Sequence, residues 1–262
     1  MEKFFKQNIY SEMLKILYSR ATIIVLSIIF ILQPFLSYIS SKQILATGLN
    51  ATPETDGNLV EAIPPIEYIG FDAILFGLFE MIIWGAILGN MEYKNNSLRT
   101  SLILSPSKKK FFSSKFLATL IFISIISFIS IYISIMCSQY ALGKSGLNPF
   151  LLNNKIWIFI LLGAISWTLL TLLSYSISFT FQSSAVSLIF LIPQLYNLGN
   201  FLVEKFALAK LLPINLGQDL IATSPDRLVD NPINSISGLV VWTVLFAGIA
   251  FYRFTTTDEG SV

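Results

Sequence analysis

One carboxylate stands where carboxylates are rarely found. Glu80 interrupts an otherwise apolar run over residues 74–88, and a charge at that depth is costly on any membrane scale. No lysine or arginine falls at a matching depth elsewhere in the chain. The group must therefore be protonated, hydrogen-bonded or turned toward a water-filled path. It reads either as a group lining or gating such a path, or as a neutral carboxyl bonded to a serine of a neighbouring helix. Asp72, nearer the outer end of the same run, reads as interfacial.

Two further patterns lie inside apolar runs. Ser124, Ser127, Ser130, Ser134 and Ser138 recur at intervals of three and four residues, so they share one side of a helix. Such a stripe faces protein or water rather than lipid. It is either a close-packing seam of small residues or the polar wall of a translocation path. Gly85 and Gly89 form a G-x-x-x-G pair that permits close helix contact, with a neighbouring span or with a second subunit.

Other chemistry is excluded by composition. The chain has no histidine and one cysteine, Cys137. That leaves no His acid or base, no intramolecular disulfide and no Cys- or His-based metal site. No catalytic residue and no metal ligand is assigned. Gly143, Lys144 and Ser145 resemble the end of a P-loop, but Ser138 stands where its first glycine is required. A net charge of +2 gives no basis for nucleic-acid binding.

The elements that carry these residues are long apolar helices. Of the 262 residues, 54% are hydrophobic and only 12% charged, about half the usual charged share of a soluble domain. Residues 21–39, 74–88, 116–137 and 236–252 each read as one span. Residues 156–202 hold no charge and are too long for one crossing of a roughly 30 Å core, so they divide into two around the polar turn Phe181, Gln182, Ser183, Ser184. Runs of this length without strand alternation mean helices. The fold class is an all-α membrane protein with six transmembrane helices, in one domain over 1–262.

Six spans put both termini on one side. Lys3, Lys6, Lys15 and Arg20 precede the first span, and Lys94, Arg99, Lys108, Lys109, Lys110 and Lys115 crowd the loop between the second and third. The positive-inside rule then places both termini and that loop in the cytoplasm. Within residues 1–20, Phe5, Ile9, Met13, Ile16 and Leu17 recur at helical spacing and predict an interfacial helix, with Glu12 near the edge of its apolar face. In the loop 91–115, Ser97 can cap a short helix with Leu98, Leu102 and Leu104 as contact positions, stopped by Pro106. That helix is either a surface for another protein or a basic patch on anionic lipid. Residues 40–70 predict a solvated outer cap. Residues 203–235, with Phe206, Leu208, Leu211 and Leu212, are too apolar for a plain solvated loop and read either as an outer helical segment or as a loop packed on neighbouring span ends.

The order Glu92, Leu98, Leu102, Pro106, Lys108, Lys115 resembles the cytoplasmic loop of ABC type-2 transporter permeases, with Asn96 and Ser97 where Gly and Thr are common and Lys108 where Arg is common. The layout of the chain resembles that family throughout. The resemblance implies a coupling helix that docks on a separate ABC ATPase through Glu92, Ser97, Leu98, Arg99, Leu102, Leu104, Pro106 and Lys108. It implies no cofactor in this chain, ATP and Mg on the partner ATPase, and a second permease subunit, identical or paralogous. It further implies a place in the bacterial plasma membrane among lipids, and export of a peptide, drug or other amphipathic molecule. Glu80 and the serines Ser124, Ser127, Ser130 and Ser134 become translocation-path candidates. The rival reading is a proton-coupled secondary transporter using Glu80. An internal repeat is expected of that class, and none is visible.

Overall fold

The computed structural model describes residues 2–93, 107–196, 198–225 and 231–256. Helix α1 spans Glu2–Leu17. The first long apolar element, Arg20–Thr47, has three parts: α2 (Arg20–Ser27), a π-helical turn (Ile28–Leu32) and α3 (Gln33–Thr47). Pro34 lacks the N–H that a regular helix would send back one turn, and the helix widens just before it. Then come α4 (Asp72–Asn90) with a 3-10 turn at Met91–Tyr93, α5 (Lys108–Leu142) and α6 (Asn154–Phe181). After α6 the chain holds α7 (Ser184–Leu195), α8 (Leu198–Lys205), α9 (Pro213–Gln218) and α10 (Pro232–Thr256). No strand is present among the described residues.

Among the described residues, five helical elements are long and apolar enough to cross a membrane. The sequence reading expected six. The turn between the fourth and fifth falls where expected, with Gln182 in the left-handed region at φ 53°. The difference lies in residues 184–202. Pro193 removes a backbone donor inside α7, and the helix ends at Leu195 after 12 residues. That is about 18 Å at 1.5 Å per residue, short of a roughly 30 Å core. The chain turns at Tyr196 and restarts as α8.

Helix α6 is the centre of the bundle, buried on nearly every side from Ile156 to Thr180. It packs on α4, α5, α7 and α10. Its closest neighbour is α4. A Cβ at Gly85 would strike the backbone carbonyl of Thr171, and one at Gly89 the carbonyl of Tyr175. The intimacy is reinforced by two serines one turn apart. Ser174 donates to the Ile82 carbonyl at 2.6 Å, and Ser178 to the Ala86 carbonyl at 2.6 Å. Small residues let two backbones approach until dispersion and side-chain hydrogen bonds hold them, which is the available glue where no water drives association.

A second seam joins α3 to α5. Ser37 donates to the Ser134 carbonyl at 3.0 Å, and the Ser41 and Ser138 hydroxyls share a bond at 2.6 Å. At the end remote from α1, α9 is tied in by Ser166, which donates to the Gly217 carbonyl at 2.8 Å. Trp242 of α10 donates to the Leu211 carbonyl at 2.8 Å. Phe206, Leu208 and Leu211 stay exposed beside it.

Candidate functional site

The stretch 91–115 has its two ends tied together. Glu92, in the turn that closes α4, and Lys115, in the second turn of α5, are both buried and lie 2.5 Å apart. Glu12 of α1 reaches the same lysine at 3.2 Å. Lys15 then pairs with Glu12 at 2.6 Å and lies 3.9 Å from Glu92. Two carboxylates and two ammonium groups balance in charge. A buried ion pair holds only when its geometry is good and each remaining charge is matched, and here one lysine bridges two acids from two different elements.

Local sequence explains the positions. Ser107 caps α5, accepting from the Lys110 N–H at 3.2 Å, so the helix starts early enough for Lys115 to point inward at its second turn. On α1, Glu12 falls three residues after Ile9 and four before Ile16, which is 3% exposed. It therefore shares the inward face, where the sequence reading set it at the edge. A carboxylate on an apolar helix face, together with a lysine opening an apolar span, was the available signal for this pair. Lys15 closes the cluster.

An aromatic cluster surrounds these charges. Phe112 touches Phe116, Phe179, Phe251 and Phe254, with ring centroids between 5.2 and 6.1 Å apart. Tyr93 meets Phe179 at 5.2 Å. Trp84 of α4 donates to the Thr22 hydroxyl at 3.0 Å, and Thr22 bonds to Ser19, the cap of α2. Both ends of the loop are thus built into one rigid block shared by α1, α2, α4, α5, α6 and α10.

Of the loop residues singled out in the sequence, Glu92 and Lys108 are described. Ser97, Leu98, Arg99, Leu102, Leu104 and Pro106 lie outside the described residues. Lys108 opens α5, half-buried.

The intramembrane candidates separate. Ser127, Ser130 and Ser134 are fully buried and lie on the face of α5 that meets the first span. Ser130 donates toward Gln33 Oε1 at 3.4 Å and the Ile29 carbonyl at 3.5 Å, while Ser134 meets Ser37 through its carbonyl. Ser124 bonds back to the Leu120 carbonyl of its own helix at 2.8 Å. Ser130 and Ser134 thus meet the first span, the hydroxyls of Ser127 and Ser134 have no hydrogen-bond partner among the described residues, and none of the stripe bonds to Glu80. Gly85 and Gly89 serve close packing, with α6 of the same chain as the partner. Glu80 is different. It is half-buried, its Oε2 is enclosed, and no hydrogen bond or ion pair joins it to any described residue.

Comparison with known proteins gives one match. A family model described as "ABC-2 family transporter protein" matches residues 8–197. No curated protein and no solved structure matches the chain. The matched residues run from α1, through the charge cluster and both seams, to the end of α7.

Proposed function

The chain belongs to the ABC-2 transporter family, and from that premise we propose that it is an export permease, driven through the loop 91–115 by a separate ABC ATPase. Family membership makes it a membrane subunit of an ABC transporter that works with an ATPase partner. The direction of transport, the docking residues and the second subunit belong to the proposal.

The observation that carries the reading is the cluster of Glu92, Lys115 and Glu12. An ATPase pushing on a loose loop would waste its stroke in the loop. Here the residues flanking the loop are joined to each other and to α1 by buried ion pairs. A displacement at Leu98–Leu104 therefore tilts α4, α5 and α1 together. Two such permeases, identical or paralogous, would open a path between them as two ATPases close on ATP and Mg. The basic residues around the loop set this end in the cytoplasm. The cargo is a peptide, drug or other amphipathic molecule.

The test is co-purification. The permease is expected to hold an ATPase subunit that is lost when Leu98 and Leu102 are both changed to Asp, and kept in Glu80→Gln. Substrate movement by the chain alone in liposomes, on a proton gradient and without any ATPase, would overturn the reading in favour of a secondary transporter.

A further inference from the structure

We infer that Glu80 is the counter-ion for a lipophilic organic cation, so that the transported molecule meets the second span through a positively charged group. The inference deepens the export reading and rests on it.

Along α4, the residues that escape burial are Asp72, Leu75, Phe76, Phe79, Glu80, Ile83, Ile87 and Asn90. They recur at three- and four-residue steps and form one stripe. Every other position of the helix is buried against the bundle. Glu80 is the only ionisable group in the middle of that stripe. Its carboxylate carries neither a cation nor a donor from any described residue, although the same helix places Glu92 in a fully matched cluster. An unmatched carboxylate half-sunk in an apolar surface is retained at a cost, and the cost is met if a ligand supplies the charge.

The stripe also says which kind of cation fits. A metal ion needs several oxygen donors converging on one point, and the residues beside Glu80 in the stripe supply aromatic and aliphatic carbon. Phe76 is 68% exposed. Phe79 packs edge-on to Tyr196 of α7 at 6.3 Å between ring centroids, and Tyr196 is itself 63% exposed. Ring faces beside one carboxylate favour a bulky organic cation, which sheds water cheaply and gains from the ring quadrupoles.

The permease with its co-purified ATPase is placed in nanodiscs, and equilibrium binding of tetraphenylphosphonium is measured, with tetraphenylborate as the isosteric anion. Saturable binding of the cation is expected. It should weaken by at least about ten-fold in Glu80→Gln and persist in Glu80→Asp, and tetraphenylborate, titrated in a separate sample, should show no saturable binding. Equal binding in Glu80→Gln, saturable binding of the anion measured by itself, or no saturable binding by the unaltered protein would each overturn the assignment. So would dissociation of the permease pair in Glu80→Gln with cation binding intact, because Glu80 would then be matched by the second subunit. Absence of an ATPase from the preparation would instead count against the export reading, and binding could still be read on the permease present.

Discussion

Helix α4 and the turn that closes it carry two glutamates that live in opposite circumstances. Glu92 is 1% exposed and lies within 2.5 Å of a buried lysine. Glu80, three helical turns earlier, is half-exposed and bonded to nothing described. The first has been taken out of water and fully compensated, so it holds position. The second has been left with capacity to spare. One residue type thus serves rigidity at the loop end of the bundle and leaves an open valence at its middle, and the difference is made by neighbours on other helices.

The sharpest way to break this contrast is to remove the bridge. In Lys115→Met, Glu12 and Glu92 face each other in a buried site, with Lys15 the remaining cation among the described residues. Stripping one partner from a buried ion pair costs about 3–5 kcal/mol. The variant is expected to lose most of its yield of folded protein in detergent, read by fluorescence-detected size exclusion. Recovery of normal thermal stability would mean that water enters the cluster. The single change Glu92→Gln is expected to cost less, since Lys115 retains Glu12. Combining it with Lys115→Met should recover part of the loss, by roughly 0.5–3 kcal/mol of coupling. Additive effects in that cycle would show that the two residues do not act as a pair.

Much of this was legible in the sequence, and for identifiable reasons. Long apolar runs report directly on lipid, so the helical class and five of the six expected spans follow from chain chemistry alone. The fifth in chain order failed because Pro193 and Tyr196 divide a run that counts as apolar residue by residue. Glu92 and Lys115 were visible only as members of a loop pattern, and Glu12 was set at a helix edge. An ion pair between residues about a hundred positions apart leaves no local periodicity to detect. The serine stripe was visible as a stripe, but spacing cannot say what lies opposite. Ser37 and Ser41 on α3 are what the structure sets against it.

The unpaired member should answer differently to the same substitution. Glu80→Gln removes a charge without stripping any described group of a partner. Its apparent Tm in detergent is therefore expected to stay within about 2 °C of the parent or to rise, against a scale of about 2–4 °C per kcal/mol for a chain of this size. A fall as large as that of Lys115→Met would mean that Glu80 is as structural as Glu92, and the contrast would collapse.

Asp219 provides the finest test, because it stands between the two extremes. It follows α9, half-buried, with the Ser235 hydroxyl donating to its Oδ2 at 3.3 Å. Burial raises its carboxyl above the usual aspartate range, against the opposing effects of the Ser235 hydrogen bond and the Lys210 charge. The folded chain therefore holds this proton to a higher pH than the unfolded chain does. The stabilisation that results is fully present below the unfolded value, about 3.9, and is lost as pH rises through the folded value. At neutral pH the folded state must bear an ionised, half-buried group. Asp219→Asn keeps an acceptor for Ser235 and removes that burden, so it should raise the apparent Tm by about 1 °C near pH 7 and lose the advantage near pH 4. A benefit that is flat with pH, or that grows in acid, would place Asp219 with Glu92 as a carboxylate whose ionised form the fold already satisfies.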